Sequence, residues 1–277
     1  MKKSGKISFD KKFQIHFLNL KEMMQKSIKQ SKLVYPSPEE QEKIIEKASN
    51  TLCSWRMMID MATYTACELH NSDSYFPFIY AISVEELLMY IHPSYLFPYL
   101  LCAEFAYTFT IELNIPIEQI PDYAFQVSVP FKFPGDKDYH WYTQVSNTVS
   151  LNEEKIILSH ISVFYYEKQY SSFEYRLIQP SVLKKGKLFH SLHEGLLDKV
   201  RLHISNTLTT HEKKVVLLYA KGYKLKAVAG EMGTTEGTER ARNNTILKKT
   251  KEILGFKFTS IADLADFFHH NRILTGA

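Results

Sequence analysis

The sequence predicts an α+β chain in two parts, an antiparallel sheet with flanking helices followed by an all-α unit of four helices, and three observations predict it. Residues 124–133, 139–149 and 155–166 are runs of strand-forming residues divided by Pro134-Gly135-Asp136 and by Asn152-Glu153-Glu154, the pattern of a three-strand meander. From residue 208 onward the chain turns to short segments with hydroxyl caps, apolar residues three and four apart, and glycines at their ends, the pattern of capped amphipathic helices. Charge divides the same way. Residues 205–277 hold 12 Lys and Arg against 7 Asp and Glu, while residues 1–204 hold 22 against 23, so the positive surplus lies wholly in the helical part and suits a polyanion there.

With 277 residues, 45% of them hydrophobic, the chain has room for two domains with real cores. Cys53, Cys67 and Cys102 show no paired spacing, which implies reduced thiols and a cytoplasmic protein. The basic start lacks the unbroken apolar run of a signal peptide. The most apolar stretch, Tyr95 to Ile111, contains Pro98 and Glu104 and falls short of the ~20 apolar residues of a spanning helix. No membrane partner is therefore expected.

Taken in order, Phe13, Phe17, Leu20, Met24 and Ile28 predict an amphipathic helix over 10–34, broken by Pro36 and Pro38. Pro38-Glu39-Glu40 starts another that runs to about Asn50. Trp55 to Ala66 reads as a first strand, with Asn71-Ser72-Asp73-Ser74 as a turn after it. Ser83 and Glu86 cap a helix bearing Leu87, Leu88 and Ile91 and ended by His92-Pro93; Tyr95 to Leu113 is a second, left through Pro116 and Pro121. Alternation in Phe125, Val127, Val129, Phe131 and in Ile157, Ser159, Ile161, Val163 predicts strands buried on one face. Phe173, Tyr175, Leu177 and Ile178 predict one more strand before a break at Pro180, and Leu188 to Ile204 a helix suited to transmit a change of state or to pair with its copy.

The helical part begins with Thr209 and Glu212, a capping box. Val215, Val216, Leu218 and Ala220 make one apolar stripe ended by Gly222; Leu225, Val228, Ala229 and Met232 make a second ended by Gly233. Thr234 and Thr235 cap a third segment, Glu236 to Leu254, rich in Arg, Asn and Lys and closed by Gly255; Ser260 and Asp263 cap a last helix with Ile261, Leu264, Ala265, Phe267 and Phe268. Two short helices, a tight glycine turn and a longer basic helix form a helix-turn-helix.

This stretch resembles the LuxR-type helix-turn-helix. It matches that family's pattern in register at Leu208, Thr209, Glu212, Val215, Leu218, Ala220, Gly222, Lys226, Ala229, Thr235, Thr238, Ile246 and Lys249. It departs at His211, Ala227, Glu239 and Arg242, where the family has Arg, Glu, an apolar Val and His. A carboxylate at a core-facing position needs a partner, and Arg242, three residues on, is the expected one. The sheet part is similar to a PAS sensor through Ser83-Val84-Glu85-Glu86-Leu87-Leu88, Ile91-His92-Pro93 and Tyr139-His140-Trp141, with Ser94-Tyr95 where that family has two acids.

These resemblances imply a DNA-binding transcriptional regulator. The expected organisation is a helical segment over 1–50, a PAS-like sensory or dimerising domain over 51–167, a connector over 168–207 and a LuxR-type reader over 208–277. Resemblance places Lys226, Thr235 and Thr238 on phosphates. Arg240, Asn243 and Asn244 suit base edges, since Arg fits guanine and Asn fits adenine bidentately; Arg242, Lys248 and Lys249 complete the expected DNA-binding set. Implied partners are double-stranded DNA, a second copy of the chain, RNA polymerase and a small-molecule ligand of the PAS-like domain. No catalytic constellation, phosphate loop or metal set is present, His190 and His193 lacking further ligands, and no cofactor is expected. Two other readings stay open: a sigma-factor-like promoter-recognition protein with a helical front half, and a scaffold whose helix-turn-helix binds protein.

Overall fold

The computed structural model describes residues 18, 21–22, 33–34, 43, 55–61, 63–68, 82–112, 115–133, 136–152, 156–171, 176–254 and 257–274. The expected helices over 10–34 and 38–50 lie almost wholly outside the described residues, as does the turn at 71–74. Leu18, Lys21, Glu22 and Lys43 are helical, but Leu33–Val34 is a strand, β1, where a helix end was expected.

Strand-forming runs assemble into one antiparallel sheet. In chain order β2 is Trp55–Asp60, β3 Thr65–Glu68, β4 Ile82–Ser83, β5 Tyr123–Phe131, β6 His140–Asn152, β7 Ile157–Gln169, β8 Ser181–Lys184 and β9 Lys187–Leu188. Their spatial order is β4-β3-β2-β7-β6-β5-β8-β9, with β1 paired to the end of β6. The expected meander is therefore β5-β6-β7, each strand within a few residues of its predicted limits.

Three expectations need correcting. The first strand is a hairpin: β2 turns at Met61 to Tyr64 and returns as β3, pairing Asp60 with Thr65. The turn contains neither Gly nor Pro; Tyr64 takes a left-handed φ of 56° and the Thr63 N–H donates to Asp60 Oδ1 at 3.4 Å. Secondly, β7 is not half-buried. It lies between β2 and β6, so Ile157 to Phe164 is buried on both faces and Ser159, His160 and Ser162 are taken inside. Thirdly, residues 176–180, which include Leu177 and Ile178, form no strand; the chain pairs after Pro180 instead, β8 joining the edge of β5 and turning through Lys185 and Gly186 into β9.

Helix α1 (Val84–Leu88) begins with the expected capping box, Ser83 accepting from the Glu86 N–H and Glu86 from the Ser83 N–H. Helix α2 (Pro93–Glu112) follows and lies over β5 and β6, with Tyr95 edge-on to Trp141 at 5.1 Å. Helix α3 (His190–Asn206) leads into α4 (Thr210–Ala220), α5 (Leu225–Glu231), α6 (Glu236–Leu254) and α7 (Ile261–His270). The boxes expected at Thr209/Glu212 and Ser260/Asp263 are both formed. Gly222 and Gly233 take left-handed φ of +83° and +64°, so the tight turns fall where a side chain would be strained.

Val215, Val228, Ile246, Leu264 and Phe268 are buried together at the centre of the helical unit. The apolar cluster continues through Leu196, Val200 and Ile204 of α3 into the sheet part. Helix α2 packs against both α3 and α6, with Phe97 6.3 Å from His203. Arg201 of α3 donates to the Asn271 carbonyl at 3.0 Å, tying α3 to the end of α7.

Candidate nucleic-acid interface and an internal cavity

At about 100° per residue, the faces of α6 separate cleanly. Glu239, Ile246, Thr250 and Ile253 are buried, whereas every residue exposed between 237 and 251 is small, polar or basic: Gly237, Thr238, Arg240, Ala241, Asn244, Thr245, Lys248 and Lys251. Arg240, Asn244 and Lys248 recur at intervals of four and share one stripe. No acidic side chain lies within the arc, and the exposed Glu236 and Glu252 bound it at either end. Such a surface offers guanidinium, carboxamide and ammonium donors to a polyanion.

The other sequence-predicted residues divide into those exposed to solvent and those engaged with the scaffold. Lys226, Thr235 and Thr238 are exposed, and Thr235 Oγ1 accepts the Thr238 N–H at 3.2 Å, capping α6. Asn243 is half-buried and turned to the scaffold, its amide donating to the Tyr219 hydroxyl at 2.8 Å. Lys249 donates to both oxygens of Glu212, at 2.7 and 2.8 Å. Burial works against the Glu212 charge, but the bonds from Lys249 and Thr209 outweigh it and hold the carboxyl below its usual range. Arg242 donates to Glu239, as the three-residue spacing predicts. Tyr219 and Lys251 were missed from the sequence; Lys251 lay at the right helical interval to be found, whereas Tyr219 meets α6 only across the fold.

The sheet part has a cavity of about 60 Å³ between α2 and the strands, lined by Tyr99, Ala103 and Ala106 on one side and Phe125, Val127, Gln144, Ser146, Thr148 and His160 on the other. Its polar groups are joined to one another. The Tyr99 hydroxyl donates to Gln144 Oε1 at 3.0 Å, the Gln144 amide donates to Ser162 Oγ at 2.8 Å and to Ser146 Oγ at 3.2 Å, and the two serines lie 2.9 Å apart. Among the described residues no Asp, Glu, Lys or Arg lines it, and burial pushes the His160 imidazole down to about 4, so it is neutral near pH 7. The described wall therefore offers neutral donors and acceptors. Its sequence signal is Gln144, Ser146 and Thr148 at alternate positions of β6, polar where an inward face is expected to be apolar.

No family model matches the chain, and no curated protein matches it. Among solved structures it is similar to the phage VqmA-DPO complex, at 10% identity over 86% of this chain and 92% of that one with a TM-score of 0.21. It is also similar to a Vibrio cholerae VqmA-ligand-DNA complex, at 14% identity over 86% and 89% with a TM-score of 0.20, and to VqmA bound to DPO, at 14% over 82% and 89% with a TM-score of 0.22. At TM-scores this low the likeness carries no argument about the chain.

Proposed function

We propose that the chain is a sequence-specific DNA-binding transcriptional regulator, and not an enzyme. In this reading the LuxR-like unit over 208–277 reads the major groove with α6, and the PAS-like sheet part senses a small molecule or holds two copies together. The observation that carries it is the exposed arc of α6 between Glu236 and Glu252, which holds Arg240, Asn244, Lys248 and Lys251 and no acid. A recognition helix must show bases donors and acceptors along one stripe while its opposite stripe packs on the scaffold, and the residues of α6 divide in that way.

Base readout belongs to Arg240 and Asn244, which are exposed on that stripe. Asn243, bound to Tyr219, serves to orient the helix. Lys226, Thr235, Thr238, Lys248 and Lys251 meet phosphates. The sheet, its helices inserted between β3 and β5, supports the PAS-like reading, and its cavity is the place for a signal molecule. A homodimer would set two reading helices on two half-sites, with RNA polymerase as the further partner of a regulator of this kind. The strand-rich front half stands against a sigma-like protein, which needs a helical one. A protein-binding scaffold has no need of a guanidinium and carboxamide stripe.

Gel shifts on genomic fragments across a salt series test the reading. Binding is expected to weaken steeply as salt rises. Arg240→Ala is expected to lose about 1–3 kcal/mol of discrimination at one base pair, while Lys248→Ala weakens binding to all sequences alike. Equal effects of both on every sequence, or no retained duplex in dilute buffer, would sink it.

A further inference from the structure

Glu239 is wholly buried on α6, at a position whose helical neighbours Ile246 and Ile253 are apolar. Burying a carboxylate costs stability unless it is bonded. One of its oxygens, Oε1, accepts from the Thr234 hydroxyl at 2.6 Å and from Arg242; the other, Oε2, is buried with no hydrogen-bond partner. Arg242 is the only cation among the described residues that pairs with this buried charge. The pair thus joins the turn before α6 to the second turn of the helix.

The guanidinium is held at one edge. Its side chain is 24% exposed, it makes no other hydrogen bond among the described residues, and none of its remaining nitrogens is buried. Those N–H donors therefore face solvent. By helical interval Arg242 lies beside Thr238 and Lys249, about 40° beyond Thr238 at the edge of the exposed arc and about 160° from Asn244 at the centre of the Arg240–Asn244–Lys248 stripe. A helix lying in a major groove has a phosphate strand beside each flank. A guanidinium already fixed in place loses little rotamer freedom on meeting a phosphate.

We propose that Glu239 is a positioning residue: its buried carboxylate holds Arg242 ready for a DNA phosphate at the border of the groove. The inference rests on the DNA-reading function above and deepens it. Arg242 then contributes orientation at a cost in net charge, because Glu239 subtracts one positive charge from the surface that meets DNA. Charge and positioning make opposite predictions for Glu239→Val, which suits them to a decisive measurement.

The test is fluorescence anisotropy of a labelled random-sequence duplex against the full-length chain over a salt series, with melting curves for each variant. Glu239→Val adds a positive charge to the protein, so charge alone predicts tighter binding. Positioning predicts binding severalfold weaker at every salt, with the salt slope kept. Glu239→Gln retains an acceptor for Thr234 and Arg242 and is expected to stay close to wild type. Adding Arg242→Ala to Glu239→Val is expected to lower the slope by about 0.9, one phosphate. Arg242→Lys gives a reading that survives if the valine variant does not fold: it keeps the charge, loses the held fork, and is expected to bind more weakly. Wild-type or tighter binding by Glu239→Val, or an unchanged slope in the double variant, overturns the positioning role alone. A wild-type chain that binds no duplex overturns the DNA-reading function and this inference with it.

Discussion

His160 shows how one buried side chain gives the fold a pH dependence. The folded chain accepts it only as neutral imidazole, with its affinity for protons pushed down to about 4 from 6.5 by burial. Above about pH 6.5 it is neutral in both folded and unfolded chains and contributes no slope. As pH falls from about 6.5 towards 4 the unfolded chain binds a proton that the folded chain refuses, and stability drops, by up to about 3 kcal/mol. Below about 4 that loss levels off. His92 acts in the same direction: burial lowers its pKa, and its Nδ1 accepts the Ser94 N–H at 3.2 Å at the start of α2, a bond that a proton on Nδ1 removes. Urea denaturation at about pH 7, 5.5 and 4.5 is expected to show falling stability, with His160→Gln flattening part of the fall. An identical profile for the variant would assign the slope to other groups.

Among the elements, the caps were the most legible part of the sequence. Ser83/Glu86, Thr209/Glu212 and Ser260/Asp263 are each formed by a hydroxyl and a carboxylate three residues apart, so all the information needed to form them is local. The glycine turns are local too. Gly222 has open space around the position of a Cβ, so Gly222→Ala is expected to cost only the left-handed strain, about 1–2 kcal/mol. Phe268 is 1% exposed in the core of the same unit, and Phe268→Ala is expected to cost about 3–5 kcal/mol. Urea midpoints of the two variants check the ranking; a larger loss for the glycine change would mean that turn geometry, not packing, limits this unit.

Across the whole molecule, the two halves meet through α2. It lines the cavity with Tyr99, Ala103 and Ala106 and packs against α3 and α6. Tyr99→Phe removes the hydrogen bond from α2 to Gln144 without touching the helical unit, and leaves an amide oxygen to find another donor. A change in duplex affinity, with a small loss of stability, is expected. Unchanged affinity would show that the cavity and the reading helix do not communicate.

What the sequence by itself determined was everything written in neighbouring residues: the meander, the caps, the turns of the helical unit, and the Glu239–Arg242 pair, all set by spacings of two, three or four. Only the tertiary structure decided which strands became central and which side chains were already engaged. Placing β7 between β2 and β6 buried both its faces, and an alternating pattern cannot announce that because it depends on the distant β2 as a neighbour. Likewise Asn243 and Lys249 look as free as Asn244 and Lys248 in the sequence, and differ only because packing α4 on α6 brings Tyr219 and Glu212 within reach. Contacts between residues far apart in the chain depend on how its elements are packed, and no local spacing encodes that arrangement.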